Sequence, residues 1–145
     1  MIGIIDTGIG NIPSVLSALK KIEESTCLCS NKTHLDKINK IILPGVGSFK
    51  AFNHKINEKD LFYPIQKKVK SGVPILGICL GFHALFGKSI EYGVFPGLNF
   101  VKGEVVKINN IKEGIKIPHI GWNSCNLNNE SKLFKGIKNK SDFYF

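Results

Sequence analysis

Three short apolar runs, each stopped by a glycine-bearing loop, constrain this chain more than any other feature. They cover residues 2–5, 40–43 and 73–78. The loops that stop them are Asp6-Thr7-Gly8-Ile9-Gly10-Asn11, Pro44-Gly45-Val46-Gly47 and Gly77-Ile78-Cys79-Leu80-Gly81. A continuous apolar run bounded by turn residues has the pattern of a strand buried on both faces. After the first loop, Pro13 suits the first turn of a helix, and Val15, Leu16, Ala18, Leu19 and Ile22 recur at helical spacing. The pattern also predicts a strand over 26–30, a short helix or turn over 33–38, and one amphipathic helix over 58–70. A further helix is predicted over 80–86.

Strands alternating with helices predict an α/β fold: three layers, with a mostly parallel sheet and helices on both faces. In such sheets ligands bind at the carboxyl ends of the strands, where all three glycine loops fall. After residue 98 the rhythm changes. Residues 100–108 alternate as a strand does, 115–120 offer a partner strand, Leu133-Phe134 opens a helical turn, and Phe143-Tyr144-Phe145 reads as a strand cut off in the middle. The expectation is one domain over residues 1–145 with a small β-rich part after residue 98.

Charge narrows the function classes. The 145-residue chain carries a net charge of +9, and all 20 of its basic residues are lysine. Bidentate readout of phosphate or guanine leans on arginine, and these lysines are scattered apart from 67–70 and 132–140. A solvated lysine-rich surface is expected, with no nucleic-acid partner. No apolar run approaches a membrane span, so no membrane association is expected. The start Met1-Ile2-Gly3-Ile4-Ile5-Asp6 reads as a first strand rather than a leader, and the expected location is the cytoplasm.

The four cysteines, Cys27, Cys29, Cys79 and Cys125, form no C-x-x-C pair, so neither a metal site nor any other cofactor is expected. Cys27 and Cys29 would share one face of a strand and read as small buried hydrophobes.

Cys79 stands apart. A G-x-C-x-G turn between a strand and a helix is the thiol form of a nucleophile elbow. It presents sulfur to a substrate and aims the following N–H, that of Leu80, at a developing oxyanion. That pentapeptide proposes acyl transfer through a thioester. Gly45-Val46-Gly47 could complete the oxyanion hole with unobstructed N–H groups, or simply end a strand. The loop at residues 6–11 contains G-x-G, but Pro13 occupies the third fingerprint position, so it reads as a tight strand-to-helix connection. A thiol needs a base. His83 lies one helical turn after Cys79, where it could line a pocket but is awkwardly placed as base. His34 and His54 read as surface residues.

These residues resemble a family. Ile4-Ile5-Asp6 with Gly8-Ile9-Gly10-Asn11, then 41–49, 74–81, Leu85-Phe86, 116–123 and the closing Phe143-Tyr144-Phe145 follow the order of the class-I, triad-type glutamine amidotransferases. Within that class they are similar to the glutaminase subunits of imidazole glycerol phosphate synthase. The combination of PGVG, GICLG and PHxGWN is specific, whereas any one of the three alone is not.

The resemblance implies that Cys79 attacks the carboxamide carbon of glutamine, releasing ammonia and leaving a glutamyl thioester. Gly45, Val46, Gly47 and Leu80 would hold the oxyanion. Ammonia would pass to a (β/α)8-barrel cyclase subunit in a heterodimer serving histidine biosynthesis. Asn11, His119, Trp122 and Tyr144 match positions at or near that docking surface. Taken alone, Trp122 reads either as an interface anchor or as a core residue.

Two departures stand against the family pattern. His83 replaces a glutamine that helps hold the substrate. None of the four histidines matches the catalytic one, which with its glutamate partner would lie beyond Phe145. The fold is therefore expected to be incomplete at its C-terminal end, and an apolar strand end exposed there would lower solubility. Two competing readings follow: a paralogue supplying ammonia to a surface-glycan sugar amidotransferase, and a non-catalytic remnant of a frameshifted gene.

Overall fold

The computed structural model describes residues 1–108, 117–128 and 130–145. The chain forms two compact units, Met1–Lys107 and Ile108–Phe145.

The first unit is built on a four-stranded parallel sheet of β1 (Ile2–Ile5), β2 (Thr26–Cys29), β3 (Lys40–Gly45) and β4 (Ile75–Cys79) in the order β2-β1-β3-β4. Alternation along the strands divides the side chains between two layers. Ile2, Ile4 and Ile42 pack with Leu19, Ile12, Val15 and Leu16 of α1 (Ile12–Lys21). Ile5, Cys29, Ile41 and Leu43 pack on the other face. There they meet Phe49, Phe52 and Ile56 of α2 (Phe49–Glu58), Phe62 and Ile65 of α3 (Phe62–Lys70), and Leu35 of a 3-10 turn, Lys32–Lys37. The expected α/β sheet with helices on both faces is what the chain forms.

Two helical expectations need correction. The single helix over 58–70 is instead the second half of a helical pair. α2 begins at Phe49, where the Ser48 hydroxyl accepts from Ala51 N at 3.2 Å and caps it. It ends at Glu58, and Asp60, with φ of 52°, turns the chain before α3. The helix over 80–86 is shorter than expected: α4 runs only Leu80–His83, and the chain re-enters a strand, β5 (Phe86–Ser89). Ala84 and Leu85 are buried at the junction, so an apolar run of helical period served a tight turn into a second sheet.

That second sheet has the order β6-β5-β7, with β6 (Phe95–Pro96) antiparallel and β7 (Val101–Val105) parallel to β5. Asn53 of α2 donates to Pro96 O at 2.8 Å and Gln66 of α3 to Leu98 O at 2.9 Å, tying this segment to the helices.

In the second unit β8 (Trp122–Ser124) pairs antiparallel with β9 (Asp142–Tyr144), after a 3-10 turn at Lys132–Phe134. The strand expected over 115–120 lies partly outside the described residues, and 117–120 form no strand.

Candidate functional site

Cys79 ends β4 and caps the start of α4, with φ of 55° and ψ of −119°. A side chain at positive φ is strained and persists only where the surroundings enforce it. Here the enforcement is close packing at glycine. A Cβ on Gly81 would run into the carbonyl of Leu43, and one on Gly77 would stand 2.5 Å from Phe82 Cα. The thiol is exposed, and among the described residues its Sγ has no hydrogen-bond partner.

The parallel register brings the second glycine loop to the thiol. Gly45 is the register partner of Cys79, and a Cβ on Gly45 would stand 2.9 Å from Gly81 N. Main chain therefore approaches main chain at this junction. Val46 is exposed, and Gly47 has φ of 91° with open space around it. Leu80, buried under the elbow, starts α4. As the first helical residue it leaves its N–H without an intrahelical acceptor.

The first glycine loop joins them. Asp6 Oδ1 accepts from Gly8 N at 2.8 Å and folds the chain into a turn at a φ of 85° on Gly8. This is the tight strand-to-helix connection expected there. Beyond it the carbonyl of Ile9 accepts the N–H of Val46 at 2.9 Å. The Val46 amide is thus engaged within the protein. Lys59, just past the end of α2, reaches into the same loop. Its Nζ donates to Asp6 O at 2.8 Å and lies 3.3 Å from Asp6 Oδ2. Thr7, only 1% exposed, holds its Oγ1 without a hydrogen-bond partner among the described residues.

Sequence reasoning missed Asp6, Thr7, Ile9 and Lys59. Asp6 carries a readable signal, since an aspartate two residues before a glycine favours a turn. The roles of Ile9 and Lys59 come from contacts between segments far apart in sequence, and the burial of Thr7 is announced by no local pattern.

The remaining candidates fall in separate places. His83 is exposed at the end of α4, its ring 6.3 Å from that of Phe82. His54 is exposed as expected, whereas His34 is half-buried and its Nδ1 accepts from Ser30 N at 3.3 Å. Asn11 caps α1, its side chain accepting from Ser14 N at 3.4 Å.

His119, Trp122 and Tyr144 all belong to the second unit, where the ring of His119 lies near that of Phe145, with centroids 5.9 Å apart. Trp122 and Tyr144 are register partners whose rings meet edge-on at 5.5 Å, and both are largely exposed. The side-chain amide of Asn123 lies 2.6 Å from His119 Nε2.

A cavity of about 760 Å³ lies between the Lys32–Lys37 turn and α3, and Cys79 and the glycine loops do not line it. At the elbow Cys79, Phe82 and His83 are exposed. Among the described residues, no three His, Cys, Asp or Glu side chains gather to hold a metal, and no helix is long and apolar enough to cross a membrane. Burial, with a smaller contribution from Cys27, pushes the Cys29 thiol up to about 12. Cys29 is an inert core thiol, in contrast to exposed Cys79.

The family model described as glutamine amidotransferase class-I matches residues 3–145. The imidazole glycerol phosphate synthase subunit HisH 1 of Campylobacter jejuni subsp. jejuni serotype O:23/36 (strain 81-176) is 42% identical over 100% of this chain and 72% of its own length. The HisH subunit of Pyrococcus furiosus is 43% identical over 99% of this chain and 69% of its own length. That of Methanocaldococcus jannaschii is 42% identical over 100% and 71%. A crystal structure of a glutamine amidotransferase superposes with a TM-score of 0.73 at 18% identity, covering 99% of this chain and 69% of the other. That likeness carries the fold.

Proposed function

The chain belongs to the class-I glutamine amidotransferase family, and on that premise we propose that it is the glutaminase subunit of imidazole glycerol phosphate synthase, acting in histidine biosynthesis. Glutamine is the substrate, and a (β/α)8-barrel cyclase subunit receives the ammonia.

In the proposed reaction the thiolate of Cys79 attacks the carboxamide carbon and the carbonyl oxygen becomes an oxyanion. Collapse of that adduct breaks the C–N bond, and the nitrogen leaves as ammonia after taking a proton. Water then adds to the glutamyl thioester, releasing glutamate and restoring the thiol. The N–H groups of Leu80 and of the loop at residues 45–47 stabilise the oxyanion. The observation that carries this reading is the pairing of Gly45 with Cys79, which sets a glycine loop beside an elbow thiol.

The Val46 amide donates to Ile9 O, so that peptide must turn before it serves an oxyanion. A partner that favours the turned loop would activate hydrolysis. Asn11, His119, Trp122 and Tyr144 are the proposed docking residues. The exposed Trp122–Tyr144 pair, an aromatic surface of the kind that anchors interfaces, supports that assignment. The proton acceptor for the thiol is assigned to none of the chain's four histidines. His83 is proposed to line the glutamine site.

The test is ammonia and glutamate release from glutamine by this chain, with and without the cyclase subunit. Release that rises with the cyclase and disappears in Cys79→Ser is expected. Release that persists in Cys79→Ser would overturn the nucleophile, and none with the cyclase present would overturn the activity.

A further inference from the structure

We propose that Lys59 is a positioning residue that locks the loop at residues 45–47 in its engaged arrangement, through Asp6 and Ile9. The proposal rests on the glutaminase reading only for its catalytic consequence.

Lys59 makes two contacts with one residue: Nζ donates to Asp6 O at 2.8 Å and pairs with Asp6 Oδ2 at 3.3 Å. Both partners are only about a quarter exposed, at 26% and 23% of their side-chain surfaces. The contact is thus shielded far more than a surface ion pair, which contributes little. Asp6 Oδ1 also accepts from Gly8 N, so Lys59 and the turn act on the same carboxylate. Three residues beyond Asp6, Ile9 O holds Val46 N–H at 2.9 Å. The path from the ammonium of Lys59 to the amide of Val46 therefore runs through these contacts and the short stretch of main chain, residues 6–9, that joins them.

A second observation argues that the loop is held rather than merely resting. Thr7, between Asp6 and Gly8, buries its hydroxyl without a partner. A loop that leaves a buried hydroxyl unpaired has a cost that another arrangement could relieve. Contacts outside the loop must offset it, and Lys59 supplies two. Lys59 is also 13 residues past Val46 along a segment that passes through α2, which starts directly after the glycine loop at its Ser48 cap. The same segment thus carries Val46 at one end and the side chain that restrains its acceptor at the other.

The experiment is amide hydrogen exchange at Val46 in the full chain, read by NMR for wild type, Lys59→Met and Lys59→Arg. Lys59→Met is expected to speed exchange at Val46 about tenfold, the scale of losing one charge-assisted contact. Core amides such as that of Ile42 should be unchanged. Lys59→Arg should restore slow exchange, which a loss of general stability would not predict. Unchanged exchange at Val46 in Lys59→Met, with the chain folded, overturns the proposal. So does faster exchange spread evenly through the core.

Glutamine hydrolysis with the cyclase subunit supplies the catalytic arm. Lys59→Met should alter kcat with KM unchanged, because the loop acts on the oxyanion rather than on glutamine itself. If wild type hydrolyses no glutamine, the glutaminase reading fails, while exchange at Val46 still decides the role of Lys59.

Discussion

The amide of Val46 donates to the carbonyl of Ile9 at 2.9 Å, so two of the three glycine loops at the carboxyl edge of the sheet are joined by a main-chain hydrogen bond. The peptide that carries this amide joins Gly45 to Val46, and the loop leaves it through Gly47, whose φ of 91° belongs to the left-handed region. Gly47→Ala meets no atom within 4 Å of its new Cβ. Its effect is therefore conformational, about 1–2 kcal/mol against the positive φ. The expected result is a fall in kcat for glutamine hydrolysis with the cyclase subunit, larger than the change in KM, and a modest drop in thermal midpoint.

Thr7 gives a prediction of opposite sign. Its hydroxyl is buried and unpaired among the described residues. Thr7→Val keeps the shape and removes the orphan. It should stabilise the chain by about 1 kcal/mol, read as a higher urea midpoint at unchanged slope. A lower midpoint would mean that the hydroxyl has a partner after all.

Gly81→Ala is expected to be far more damaging. The added methyl would meet the Leu43 carbonyl, and Leu43 cannot withdraw without disturbing the β3–β4 ladder in which it pairs with Gly77. Overpacking of this kind costs about 1–3 kcal/mol or more. Gly8→Ala, which meets nothing within 4 Å but sits at φ of 85°, is the comparison that carries a conformational cost without a clash. Both have φ or packing demands met by glycine, but only Gly81→Ala should shift the urea midpoint by the larger amount.

Cys29 sets a limit on alkaline stability. Its thiol is pushed up to about 12 from the usual 9.0, first by burial and then by Cys27. The folded chain therefore keeps this proton where the unfolded chain loses it. The contribution is fully present below about pH 9 and falls as the pH rises from there toward 12. Cys29→Ala should flatten that decline in urea midpoints measured between pH 8 and pH 10.5. At pH 8, iodoacetamide should alkylate exposed Cys79 in the folded chain and leave Cys29 untouched.

The strands and the elbow were legible because they rest on local pattern. Ile2–Ile5 is apolar throughout and turns out to be an inner strand, and G-x-C-x-G is a turn whose geometry its glycines require. Where pattern and packing diverged, packing decided. Phe49, Phe52 and Ile56 have helical spacing, yet the sequence reading places no helix between Gly47 and residue 58; the Ser48 cap and the burial of these three side chains make Phe49–Glu58 one. Ala84, Leu85 and Phe86 look like the continuation of α4, but the chain turns there: Leu98 N donates to Ala84 O, and the amides of Phe100 and Val101 donate to Leu85 O. The glycine loops were individually visible. Their bonding to one another through Ile9 and Val46 depends on the sheet order, which no local motif encodes.

The position of β4 at one end of β2-β1-β3-β4 has a dynamic consequence. Among the described residues its only ladder is with β3, so the strand that delivers Cys79 is hydrogen-bonded along one side. Leu76 and Ile78 on it are 39% and 40% exposed. Opening of this strand should therefore require less free energy than opening of β1, which is paired on both sides. The thiol would ride on an edge of the sheet that opens more readily than its centre, and anything laid along that free side would quieten the strand that carries it.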